Sequence, residues 1–224
     1  MTAMSTPEPT AGAVPSRSDD LVYEQRCEED SSFTGARLLI GLSAFAFASL
    51  AFTYFYLRSA NNFRLWRPGG VTAPTDTGAA IFGVTLGVAV LYYYGLRRMR
   101  ARSLVDWEVA GWTAVGGGLL ALGLQIWELT SLPFFPGSSG YASCFIGWAG
   151  MNIALLLGVT YWMETLLARS LRLRRALREE GGGGPAGSQL PPARSFRISA
   201  ENASVFLWYA AGVELLFWIL FYAL

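Results

Sequence analysis

An all-α integral membrane bundle of five transmembrane helices is the fold this sequence predicts, and three observations carry the prediction. Five apolar stretches, at about 35 to 57, 77 to 96, 109 to 130, 141 to 167 and 203 to 224, each reach the roughly 20 residues that span a hydrocarbon core about 30 Å thick. The chain is 53% hydrophobic and 15% charged, and its charges fall in the N-terminal segment and the short links between those stretches. The stretches are also too long and too continuously apolar for barrel strands, so in lipid their backbone must bond within itself as helix.

Residues 1 to 32 are rich in Pro, Ser, Thr and acids, with Asp19, Asp20, Glu24, Glu28, Glu29 and Asp30 close together. That composition predicts a disordered tail ahead of a membrane domain over 33 to 224. A basic start followed by an apolar run, the mark of a secretory signal, is not present, so the first helix is read as a retained anchor. This helix, Gly35 to Leu57, ends in the aromatic belt Phe52, Tyr54, Phe55 and Tyr56 that suits a headgroup boundary. The second opens after Pro74 with Asp76 in its first turn, where a carboxylate suits the positive helix end, and closes in Arg97, Arg98, Arg100 and Arg102.

Small residues recur four apart along three helices: Ala79, Gly83 and Gly87; Ala110, Ala114 and Gly118; Gly150, Ala154 and Gly158. Such spacing leaves one face nearly bare and lets a neighbouring backbone approach, so each stripe is read as a helix-packing face. For the fourth helix this predicts a buried Gly150, Ala154 and Gly158 side and a lipid-facing Leu156. The third and fourth helices are joined by Gly123 to Gly150, whose link is rich in Pro, Gly and Ser and carries no charge beyond Glu128, as a transmembrane hairpin near a membrane surface would be. After the fourth helix, the arginines from Arg169 to Arg178 continue it past the membrane, and the glycine and proline-rich segment within 179 to 200 reads as a flexible cytoplasmic loop. Gly181 to Gly184 lack the lysine and the strand-to-helix setting of a phosphate cradle.

All 17 basic residues are arginine, as in a GC-rich bacterial genome, and their placement sets the orientation. The links after the second and fourth helices hold most of them, against Arg58, Arg64 and Arg67 opposite. This predicts a multi-pass protein of the bacterial inner membrane with its N-terminus cytoplasmic and its C-terminus outside. Arginines beside a membrane match anionic lipid and topology rather than nucleic acid. There is no histidine, and imidazole is the main ligand of haem and copper in membrane redox proteins, so no cofactor is expected in this chain. Cys27 and Cys144, one in the polar tail and one at a helix start, make neither a metal site nor a disulfide framework. No nucleophile, base and orienting residue occur together, so neither catalytic nor metal residues are assigned.

Ionisable groups inside the membrane are the remaining candidates. Glu214, about midway along the last helix and far from any arginine, is either a proton-handling group or a carboxyl hydrogen-bonded to a neighbouring helix or to a partner subunit. Gln125 and Glu128 share a face one turn apart near the outer end of the third helix, where they suit polar cross-linking between helices. Glu164 lies near the cytoplasmic end of the fourth, within reach of Arg169.

Several of these residues also carry a family pattern. Gln125 and Glu128, the Leu132-Pro133-Phe134 after them, and Tyr141, Ser143 and Phe145 opening the next helix resemble subunit III of the haem-copper terminal oxidases (cytochrome c oxidase type). Tyr54 to Tyr56 leading to Trp66-Arg67-Pro68, Pro74 to Thr77 and the aromatic last helix follow in the order of that family, over roughly Leu38 to Leu224. The chain departs from the pattern at three places. Ala44 follows Ser43 where the family carries a glutamate, Asn152 and Leu155 stand at a His-x-x-His pair, and Tyr209 and Gly212 stand at a histidine and an aspartate.

The resemblance implies a divergent, five-helix bacterial member. Its function would be a non-catalytic accessory subunit that packs beside and stabilises the catalytic subunit in aerobic electron transport, holds membrane phospholipid in a cleft, and leaves haem and copper to its partners. The alternatives are an accessory subunit of a nitric oxide reductase, or a stand-alone membrane transporter or assembly factor.

Overall fold

The computed structural model describes residues 17–60, 66–67, 72–101, 103–180 and 194–224. Their helices are α1 (Arg17–Ser59), α2 (Thr75–Arg100), α3 (Leu104–Ser131), α4 (Gly140–Glu180) and α5 (Arg194–Trp218), the last continuing into a π-helical turn at Ile219–Ala223. All five are long and apolar enough to cross a membrane, so the chain is a multi-pass, all-α membrane bundle.

α5 runs through the middle, against α1, α2 and α4, and α3 closes the bundle by packing on α2 and α4. α1 is peripheral: 11% of its apolar window is buried, against 56% for α5. Its Leu38, Leu42, Phe45 and Phe52 point outward, as apolar side chains do when the surrounding solvent is lipid.

Several boundaries differ from the sequence reading. α1 begins at Arg17, so 17–32 is helical rather than a disordered tail, and residues 1–16 lie outside the described residues. A helix already nucleated in the membrane extends at the low cost of propagation. At the other loop, α4 runs to Glu180 and α5 starts at Arg194, so both ends of the expected 179 to 200 loop are helical, and 181–193 lie outside the described residues. The early start of α5 is held by Glu201, which pairs with Arg100 of α2 at 2.9 Å and with Arg197 one turn before it at 3.7 Å. Because α5 starts nine residues before the apolar stretch, Glu214 falls in the second half of the helix rather than at its middle.

The three small-residue stripes divide. On α3, Ala110, Ala114 and Gly118 are buried. A Cβ on Gly118 would stand 2.6 Å from the Thr160 hydroxyl of α4, and one on Gly117 would stand 2.6 Å from Val88 of α2, so this helix is gripped from both sides. On α2, Ala79 and Gly83 are exposed and Gly87 is half-buried, with open space beside both glycines. The fourth-helix expectation is corrected. Gly150, Ala154 and Gly158 are exposed, and Leu156, expected to face lipid, is 3% exposed. Four-residue spacing makes a smooth face, but here Leu155, Leu156, Val159 and Met163 of α4 point inward and the smooth face is left exposed.

The hairpin between α3 and α4 has the expected chemistry. Leu132 precedes a proline, which disfavours helical geometry, and it is extended at ψ 138°, ending α3. Gly137 takes φ 86°, open to glycine without strain, and its N–H donates to the Ser143 hydroxyl at 3.1 Å. The Ser139 hydroxyl accepts from the Ala142 N–H at 3.1 Å and so caps the new helix.

Candidate functional site

One end of the bundle is an aromatic cluster assembled from distant segments. Tyr54 at the end of α1 packs edge-on to Trp66 at 5.0 Å and to Phe221 at 5.1 Å. Trp66 meets the edge of Tyr141 at 6.1 Å, and its carbonyl accepts from the Tyr141 N–H at 3.0 Å. Tyr141 donates its hydroxyl to the Phe221 carbonyl at 2.9 Å and lies against Phe134 and Phe145. Arg67 sits 4.8 Å over the Tyr141 ring. Edge-to-face pairs of this kind add about 0.5–1.5 kcal/mol each beyond their burial.

Directly beneath lies a chain of buried polar side chains. Tyr222 donates its hydroxyl to Glu128 Oε1 at 2.5 Å, and Gln125 Nε2 donates to Glu128 Oε2 at 2.9 Å. Asn152 Nδ2 donates to Gln125 Oε1 at 2.9 Å and also to Glu214 Oε1. Gln125, Glu128 and Asn152 have no exposed surface and Glu214 is 1% exposed, so α3, α4 and α5 are tied together away from solvent. A buried polar group left without a partner costs about 1–3 kcal/mol, so satisfying these groups matters to the fold.

The arrangement brings Gln125 and Glu128 of α3 together with Glu214 of α5 in one site, a link that spacing along the sequence does not carry. It also contains two residues that the sequence reading did not assign as site residues. Asn152 had been noted where the family pattern has a histidine, and an amide within an apolar helix was the available signal. Tyr222 had no such signal, because a tyrosine near a membrane boundary is commonplace. Its position comes from the π-helical turn, and from Gly78 of α2, where an added Cβ would overlap its ring. Glu164 is exposed and takes no part.

At the opposite end the polar contacts are ionic. Buried Glu108 of α3 pairs with Arg174 of α4, and Arg98 with Asp106 across the turn from α2 to α3. An apolar groove of about 260 Å³ between α1 and α4 is lined by Leu39, Phe47, Ala154, Gly158, Trp162 and Phe206. It meets a more polar cleft with Ser31, Ser32, Thr165, Arg169 and Ser199, sharing Leu39 and Trp162 with it. Among the described residues no three His, Cys, Asp or Glu side chains stand close enough to hold a metal ion. Cys27 is exposed and Cys144 buried, both as free thiols.

Fold and site together define a multi-pass helical membrane protein with a polar chain across its core. No protein-family model and no curated protein matches the chain.

Proposed function

We propose that this chain is a non-catalytic accessory subunit of a respiratory haem-copper terminal oxidase, similar to subunit III, in a bacterial inner membrane with its N-terminus cytoplasmic. It packs beside the catalytic subunit and stabilises it, and haem and copper belong to the partner subunits.

The observation that supports this reading is the convergence of the family-like residues. Tyr54, Trp66, Phe134, Tyr141 and Phe145 come from four separate parts of the chain and meet in one aromatic cluster, with Gln125 and Glu128 in the polar chain beneath it. The phospholipid role has a matching feature in the groove between α1 and α4, whose apolar floor suits an acyl chain and whose Arg169 end suits a phosphate.

The test is purification from native membranes in mild detergent through a tag on the N-terminus, with optical spectra and metal analysis of what co-purifies. A stoichiometric haem and copper-containing polypeptide is the expected companion. Haem and non-haem iron without copper would place the chain with a nitric oxide reductase. A chain recovered without any haem protein would overturn the accessory-subunit reading.

A further inference from the structure

The polar chain has an inner end and an outer end. Glu214 is buried, while Tyr222 is half-buried beside the C-terminus. Between them runs an unbroken series of hydrogen bonds through Glu128, Gln125 and Asn152. Three features go beyond what is needed to hold helices together.

The first is that two carboxyls share one apolar core, and among the described residues no arginine forms an ion pair with either. The second is the bonding of each. Glu128 accepts at both oxygens, from Tyr222 and from Gln125, as a carboxylate does, whereas Glu214 meets a single donor, Asn152. Asn152 Oδ1 is buried and has no partner. The third is that Tyr222 is positioned by backbone rather than by chance, through the π-helical turn and the bare Gly78 under its ring.

We propose that Glu128 and Glu214 form a proton-storing pair, holding one exchangeable proton between them that enters from the aqueous phase at Tyr222. In the observed arrangement the proton belongs on Glu214. The other arrangement turns the Gln125 amide over and rotates the Asn152 amide only part-way, until its Oδ1 faces Gln125 while its Nδ2 stays toward Glu214: Glu128 then donates to Gln125 Oε1, Gln125 Nε2 donates to Asn152 Oδ1, and Asn152 Nδ2 donates to Glu214. The unpartnered Asn152 oxygen is then used. On uptake one O–H bond forms on a carboxylate and one breaks in a hydronium ion at the mouth, and Tyr222 recovers from water any proton it passes inward. The charge of the pair changes by one.

The other titratable or charged groups around this core are few. α4 contributes Tyr141, whose hydroxyl is committed to the Phe221 carbonyl, with Arg67 over its ring. α1 contributes Tyr54, which accepts from Arg58 at 3.0 Å. α2 contributes exposed Asp76, two residues ahead of Gly78. The pair needs no partner subunit, so its test is independent of the complex to which the chain belongs.

Infrared difference spectra between acid and alkaline buffer, taken on the full chain in lipid nanodiscs, read the carbonyl stretch of protonated carboxyls directly. The expected wild-type signal is a deuterium-sensitive band with the amplitude of one buried carboxyl per chain. Glu128→Gln with Glu214→Gln should abolish it, while Glu164→Gln, at an exposed glutamate outside the site, should leave it intact. Tyr222→Phe keeps both carboxyls and should slow deuteration of the band several-fold. A band that ignores pH, an amplitude of two carboxyls, or a band that survives the double substitution would overturn the proposal. Deuteration unchanged in Tyr222→Phe would overturn entry at Tyr222, and this measurement holds even if the double variant fails to insert.

Discussion

The two ends of the bundle bury carboxyls by different means. Glu108, at the arginine-rich end, meets Arg174 of the next helix, whose side chain stays 26% exposed. Its long apolar stem lets the guanidinium sit at the boundary while the ion pair reaches inward, which is how arginine behaves near headgroups. Glu128 and Glu214, at the aromatic end, have hydroxyl and amide partners instead. A carboxyl within reach of the boundary recruits a cation that keeps water at its other side. A carboxyl with no arginine in an ion pair with it depends on neutral donors, which fix orientation more tightly and respond less to salt.

The strongest way to break this comparison is at Asn152, the junction of the neutral chain. Asn152→Leu removes the donor to Gln125 and to Glu214 together, leaving two buried acceptors unpaired at about 1–3 kcal/mol each. Thermal unfolding in detergent should show the largest loss of the substitutions considered. A variant as stable as wild type would mean that the chain does not hold α3, α4 and α5 together.

Arg174→Ala should come next. Removing one partner of a buried pair costs about 3–5 kcal/mol, and partial exposure of the arginine lowers the expectation to about 1–3 kcal/mol. Adding Glu108→Gln should recover part of that loss in a double-mutant cycle. Raising the salt concentration should weaken the Arg174 contribution while leaving that of Asn152 unchanged. Equal salt responses would erase the distinction between the two ends.

Tyr222→Phe keeps the ring on Gly78 and removes one hydrogen bond to Glu128. The expected loss is about 0.6–1.7 kcal/mol, the range for single interhelical bonds in lipid. The smallest effect belongs to Arg100→Ala, whose pairing with Glu201 is open to water on both sides and falls within about 0–1 kcal/mol. A loss at Arg100 larger than at Tyr222 would show that the start of α5, rather than its inner half, carries the fold.

The small-residue stripes show how far spacing alone reaches. Ala110, Ala114 and Gly118 became an internal packing face, and Gly150, Ala154 and Gly158, with the same spacing, remained on the outside. Ala154→Leu is therefore expected to leave the isolated chain's stability unchanged in the same unfolding assay, whereas Leu at Gly118 would collide with Thr160.

Five spans, helix rather than strand, the arginine asymmetry and the break at Leu132-Pro133 were all determined by the sequence alone, because each follows from local composition acting against a hydrocarbon core of known thickness or from the backbone limits of proline. The candidate residues Gln125, Glu128 and Glu214 were legible for the same reason, since a polar group in an apolar run stands out. Only the tertiary structure decided that they belong to one site, which way each smooth face turns, and that Asn152 and Tyr222 complete the chain. Those outcomes depend on the rotation of each helix about its axis and on one π-helical turn, and helix rotation is set by how large side chains fill the space between neighbours, a property of the packed bundle that no single helix contains.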